Sequence, residues 1–181
     1  MRAFNDVLDF WFSEESRPRW FNSSAAFDEV INRQFGELYR AACDGGLGDW
    51  ADSAEGALAL VITLDQFPRN LFRGQSETYA TDKQALSISE RAIANSFDQA
   101  LDDDGRAFLY MPFMHSEDKN MQERSVALFN AAGLAGNIKH AEQHRDIVRR
   151  FGRFPHRNAI LSRESTEQER AYLSSGDAFH G

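Results

Sequence analysis

Three segments of this chain carry side chains able to do chemistry. The first is Leu64-Asp65-Gln66-Phe67-Pro68-Arg69-Asn70, with Arg73 just beyond. Asp65 and Gln66 interrupt an apolar run at positions where core residues would continue. A carboxylate taken out of water must be paired, hydrogen-bonded or protonated. Arg69 and Arg73 are the nearest cations, and Asn70 adds a neutral amide. Either Asp65 orients an arginine toward a pocket, or the group is a structural ion pair at a helix exit. The second segment is Tyr110-Met-Pro-Phe-Met-His115-Ser116-Glu117-Asp118. His115 precedes a helix start, where free amides can hold an anion, and His115 with Glu117 makes a possible base and orienter. A capped turn explains Ser116 and both acids equally well. The third is Arg149-Arg-Phe-Gly-Arg153-Phe-Pro-His156-Arg157-Asn158. Gly152 and Pro155 shape the backbone and Phe151 and Phe154 anchor it, leaving Arg153, His156 and Arg157 little freedom. Held guanidinium forks suit carboxylate or phosphate, and a histidine such as His156 could donate a hydrogen bond or transfer a proton near neutral pH. These arginines could also pair with the acidic remainder of the chain.

His140 and His144 stand four apart on a helical segment and can share a face. Two metal ligands need a third, such as Glu117. The order His-Ala-Glu-Gln-His is not the zinc-protease order, and Glu142 points away from the shared face, so no metal site is assigned. There is no phosphate-cradling glycine loop, Cys-x-x-Cys pair or Gly-x-Ser-x-Gly elbow, and no cofactor is expected. The single cysteine, Cys43, excludes an internal disulfide and reads as core packing. With a net charge of −8, general nucleic-acid binding is not expected. Residues 139–163 depart from that balance, with seven Lys/Arg against Glu142 and Asp146. One basic segment in an acidic protein suggests a focused anion site or internal ion pairing.

These groups must be positioned by helices. The chain, 181 residues with 42% apolar residues, is long enough for one domain with its own core, expected over 1–181. The spacing of Phe4, Val7, Leu8, Trp11 and Phe12 predicts a helix over 3–13. Phe27, Ile31, Phe35, Leu38 and Tyr39 predict another from Ser24 to Cys43, broken by Gly45-Gly46 and Gly48. Asp52-Ser-Ala-Glu55 reads as a capping box before an apolar helix ending at Pro68. Further helices are expected at 76–95, at 101–111 with Pro112 as the stop, from an N-cap at Ser116 through Phe129, and at 137–151. Ser165-Thr-Glu-Gln168 reads as a second capping box before a helix ending near Leu173. The expectation is an all-α fold, an array of antiparallel helical hairpins. No run approaches the ~20 apolar residues of a membrane span, and Met1–Asp6 lacks a signal-peptide profile. A cytoplasmic setting without membrane association is expected.

The segments also resemble a known family, the bacterial family of unknown function 924, a group of tetratricopeptide-like all-helical proteins. The resemblance rests on Val7-Leu-Asp-Phe-Trp-Phe12, Leu64–Asn70 with Arg73-Gly74, Ala80-Thr-Asp82, Phe108–Asp118, His144-Arg-Asp146 and Arg150–Asn158. It implies an irregular superhelix of helical hairpins and supplies no activity. Leu161-Ser162-Arg163 departs from the family's Leu-Gly-Arg, so a tight turn at 162 is not expected.

The motif residues Asp65, Arg69, Asn70, Arg73, His115, Glu117, His144, Arg153, His156 and Arg157 are expected to converge on one site. The leading reading is a pocket for a small anionic ligand or an acidic peptide terminus. In it Arg153 and Arg157 grip the anion, Arg69 or Arg73 completes the clamp, Asp65 orients an arginine and Asn70 adds a hydrogen bond. One alternative is a protein-interaction scaffold whose polar motifs are structural. The other is a hydrolase-type enzyme with His144 or His156 as general base, Glu117 as orienter or general acid, and water as nucleophile.

Overall fold

The computed structural model describes residues 3–179. Every regular element among them is helical, and none of their helices is long and apolar enough to cross a membrane. The residues gather into two compact units. One holds the chain up to Arg73 together with Glu77–Pro112; the other holds Gly74–Ser76 and the chain from Phe113 onward.

In the first unit, α1 (Phe4–Trp11) buries Val7 and Trp11. Helix α2 (Ala25–Cys43) starts at Ser24, whose side chain accepts the amide of Phe27, and it buries Ile31, Phe35, Leu38, Tyr39 and Ala42. Gly45, at φ +77, then turns the chain. Helix α3 (Ala54–Val61) is capped by Ser53 accepting from the Gly56 amide, one residue later than the expected box. A Cβ at Gly56 would lie 2.2 Å from the Trp50 carbonyl oxygen, so only glycine fits this approach.

The apolar run does not stop at Pro68. It passes through a π-helical turn, Ile62–Gln66, into α4 (Phe67–Leu71). Pro68 lies in the first turn of α4, directly after the π turn. The Leu64 carbonyl in the π turn accepts the Thr81 hydroxyl at 2.5 Å. The segment expected as one helix over 76–95 is a short 3₁₀ turn, Ser76–Tyr79, followed by α5 (Asp82–Ala94).

Helix α6 (Asp103–His115) corrects a second expected stop, because it runs through Pro112. An interior proline costs ~3 kcal/mol. Phe108, Leu109, Tyr110, Met111, Phe113 and Met114 are all buried around it, and at ~1.5–3 kcal/mol for a large apolar side chain their burial outweighs the break.

In the second unit, α7 (Lys119–Ala131) begins not at Ser116 but at Asp118, whose carboxylate accepts the amides of Asn120 and Met121. The Ser116 hydroxyl accepts the Asp118 amide instead. Helix α8 (Ala135–Phe151) packs along α7 and ends at Gly152, φ +74. Helix α9 (Glu167–Leu173) starts with a capping box made by Thr166 and Glu169, one residue after the expected pair. Between α8 and α9, Ser162 stands at φ 53, so the tight turn left out of the sequence reading is present and holds a non-glycine residue.

A left-handed residue with a Cβ costs ~1–2 kcal/mol. Ser162→Gly is therefore expected to raise the thermal unfolding midpoint by a few degrees, partly offset by glycine's greater unfolded-state entropy. A lower midpoint in differential scanning calorimetry would contradict this account of the turn.

Candidate functional site

The motif residues of the first unit close on one another. Asp65 is fully buried in the π turn. The Gln66 amide donates to its Oδ2 at 2.6 Å, and an Arg69 guanidinium nitrogen lies 3.4 Å from its Oδ1. Arg69 also donates to the Asp65 carbonyl and, at 3.0 Å, to Asp82. Burial opposes the charge on Arg69, but the carboxylates of Asp65 and Asp82 outweigh it and hold its pKa above the ordinary value. Asn70 and Arg73 meet on Asp28: Asn70 Nδ2 donates at 2.7 Å, and Arg73 donates through Nε at 3.1 Å and Nη2 at 3.2 Å. Burial alone would raise the Asp28 pKa; the hydrogen bonds from Arg73, Asn70 and Ser23 bring it below the usual carboxylate value.

A similar framework holds the loop after α8 in the second unit. Glu117 accepts the Phe154 amide at 2.8 Å and both terminal nitrogens of Arg163 at 2.7 and 2.9 Å. Despite its burial, these donors keep the Glu117 pKa below its ordinary value. Arg153 makes a two-pronged pair with Glu169, at 2.7 and 2.9 Å. That pair, helped by the Thr166 amide against some desolvation, draws the Glu169 pKa down to about 2. The end of α6 is closed by side chains. Gln122 donates to the carbonyls of Met114 and Ser116, and Arg157 donates to the His115 carbonyl at 2.9 Å. A cation there also complements the helix dipole.

This framework gathers His115, His144, His156 and Arg157. The His115 and His144 rings are 6.5 Å apart between centroids. Phe154 stands between the other partners: 5.5 Å from His144, 5.6 Å from His156, and under the Arg157 guanidinium at 4.6 Å. His144 Nδ1 lies 2.8 Å from the His140 carbonyl oxygen. A carbonyl only accepts, so the proton is assigned to Nδ1 and the lone pair to Nε2. Among the described residues Nε2 makes no hydrogen bond. Burial, then the repulsion a proton on this ring would meet from His115 and, less, from His156 and Arg157, draws the His144 pKa down to about 3 against the opposing His140 carbonyl. The ring is therefore neutral across the physiological range.

The expected site residues thus fall into two groups, one in each unit. Asp65, Arg69, Asn70 and Arg73 belong to the first; His115, Glu117, His144, Arg153, His156 and Arg157 belong to the second. His140, on the same helix as His144, is exposed and offers only its carbonyl. Sequence reasoning missed Asp28, Asp82, Gln122, Arg163, Glu169 and Phe179. Asp82 and Arg163 had a signal, as the acid of the Ala80-Thr-Asp82 motif and the last cation of the basic segment. Asp28 and Phe179 had none. Among the described residues no group of three His, Cys, Asp or Glu side chains is placed to hold a metal ion. A cavity of about 190 Å³ in the first unit, floored by Leu47, Leu60, Leu64 and Ile88, is apolar and touches none of the motif residues except Leu64.

Comparison with known proteins follows the same pattern. The model of a family described as bacterial protein of unknown function (DUF924) matches residues 7–177. The chain is similar to a solved structure of a protein of unknown function from Agrobacterium tumefaciens: 46% identity, 96% of this chain and 97% of that one covered, TM-score 0.91. No curated protein matches.

The neutral state of His144 has a pH signature. Its folded pKa lies below the ordinary 6.5, so the unfolded chain takes up the proton first. Stability present above pH 6.5 is lost as the pH falls toward 3, at up to ~1.4 kcal/mol per unit. The carboxylates Glu117 and Glu169 begin to contribute only near their ordinary 4.5. Between pH 6.5 and 5 the unfolding midpoint of the native chain is expected to fall, and that of His144→Gln to stay nearly flat. Parallel slopes for the two proteins would exclude a buried neutral His144.

Proposed function

The chain belongs to the DUF924 family of bacterial proteins of unknown function, and we propose that it binds a small anionic ligand at His115, His144, His156 and Arg157. One observation carries the reading: three imidazoles are drawn together beside Arg157, and the most buried one is kept neutral by burial and by the unfavourable field that a proton on it would meet from its neighbours. An anion entering this cluster relieves that field. It also favours proton uptake by Nε2 of His144, since Nδ1 is already committed to the His140 carbonyl. Binding and protonation then reinforce each other. A base drawn down to about 3 is a poor proton acceptor near neutrality, so His144 acts in this reading as a hydrogen-bonding group rather than as the base of a hydrolase.

Arg153, with Glu117 and Arg163, holds the loop that presents His156 and Arg157. Asp65, Arg69, Asn70 and Arg73 hold the first unit and are not part of the clamp in this reading. The hairpin of α7 and α8 supports a tetratricopeptide-like arrangement within the second unit.

The closed ion pairs also favour a second reading, a protein-interaction scaffold. Phe21, 76% exposed and stacked on Phe108 beside Trp20, offers an aromatic face in the first unit. Phe21→Ser would abolish partner binding in that case and leave anion binding untouched.

Isothermal titration with phosphate, in buffers of differing ionisation enthalpy, tests the proposal. Affinity is expected to rise as the pH falls, with net proton uptake, and to drop at least about tenfold in His156→Ala, the loss of one charge-assisted contact. No heat at millimolar phosphate at any pH from 5 to 8 would contradict it.

A further inference from the structure

Phe179 is the aromatic ring that lies against the histidine cluster from the segment beyond α9. Its centroid is 4.6 Å from that of His144, inclined at 63°, and 5.1 Å from that of His156, at 81°. Two imidazoles thus grip one phenyl ring in edge-to-face contacts, a geometry that aromatic quadrupoles favour. Little backbone structure holds the ring there. Beyond α9 the described residues form no regular element, and Gly176 and Asp177 are exposed. The Phe179 amide donates to the Tyr172 hydroxyl at 2.9 Å, and the Ala178 amide to the Ser175 carbonyl at 3.3 Å. The ring is also packed at the edge of the small core of Ile147, Val148, Phe154 and Tyr172. Phe154, which His144 and His156 both touch, carries the Arg157 guanidinium on its face. The place Phe179 fills is therefore a ring-sized slot between two imidazoles, and the Phe154 ring that both imidazoles touch carries the Arg157 cation.

We infer that Phe179 is an internal stand-in for the ligand, and that the site accepts an aromatic ring bearing a carboxylate on a short linker. The inference rests on the anion-binding reading and adds the ligand's second half. The ring takes the place of Phe179 between His144 and His156, and the carboxylate reaches toward Arg157. Tethering gives Phe179 a high effective concentration at the slot, so the tail competes with a free aryl acid and sets the threshold at which the site fills.

The test is a titration of isotope-labelled full-length protein with 3-phenylpropionate and with propionate, followed through the His144 and His156 ring resonances. Burial of a phenyl ring makes about tenfold or more in affinity. Phe179→Ala is expected to bind 3-phenylpropionate at least about tenfold more tightly than propionate, and at least about tenfold more tightly than the native chain binds it. Phe179→Trp, which keeps an aromatic plug, is expected to bind as weakly as the native chain and shows that the gain does not come from loosening the tail. Two results would overturn the inference and spare the anion-binding reading. One is equal affinity of Phe179→Ala for both acids; the other is equal affinity of the native chain and Phe179→Ala for 3-phenylpropionate. If neither acid nor phosphate binds any of the three proteins, the anion-binding reading fails and takes the inference with it.

Discussion

The carboxylate of Glu117 is the contact on which the second unit's polar architecture depends. It follows α6 by two residues, and from there it holds the backbone of Phe154 and the side chain of Arg163, 37 and 46 residues later. The Phe154 amide fixes where the loop after α8 begins its 3₁₀ turn, Pro155–Arg157. That turn places His156 and Arg157, and Arg157 in turn closes the end of α6 at His115. Arg163 extends the same anchor by donating to the Asn158 side chain at 3.0 Å and to the Phe154 carbonyl at 3.1 Å. A single acid so joins the ends of α6 and α8 and the turn that carries the candidate ligand groups.

Such pairs are weak sources of net stability, because desolvating both charges consumes most of their attraction. Their effect is geometric. Removing one partner strands the other, whereas an intact pair permits a single arrangement. This explains why the motif residues are polar yet largely turned inward. Asp65 with Arg69 and Asp82, Asp28 with Asn70 and Arg73, and Glu169 with Arg153 each lock a loop or helix exit to a distant element. The apolar core supplies the cohesion. In the first unit Trp11 meets Phe67 and Phe108 edge-on at 5.7 and 5.6 Å, and Phe35 packs on Phe67 at 5.1 Å.

Most helices were legible from periodicity alone. Ile31, Phe35, Leu38 and Tyr39 mark the buried stripe of α2, and Val7 with Trp11 that of α1. The misreadings share a physical cause. Proline and serine are local signals, and tertiary packing overrides them. Pro112 lies within a helix whose neighbours are buried on both sides, and Ser162 takes a left-handed conformation between segments fixed by Asn158 and Arg163. Helices α3 and α9 both start one residue after the expected capping boxes, α3 with a single N-cap bond from Ser53 and α9 with a full box, a shift that hydrophobic spacing cannot resolve because several adjacent Ser, Thr and Asp residues suit the position. For the site, the charged residues themselves were visible, but their partners were not. Glu117 was read with His115, its near neighbour, while its actual donors came from a loop far along the chain. Phe179 carries no sequence signal, since a lone aromatic outside any helical stripe has no periodicity to reveal what it covers.

Inside this framework His144 is a neutral imidazole with a fixed tautomer. Nitrogen chemical shifts of its ring in the ligand-free protein, followed from pH 8 to pH 5, test it directly. A protonated Nδ1 and an unprotonated Nε2, unchanged across the range, are the expected result. A ring that becomes imidazolium near pH 6.5, or that averages between tautomers, would mean that neither the His140 carbonyl nor the surrounding cluster constrains it, and the account of the site would fall.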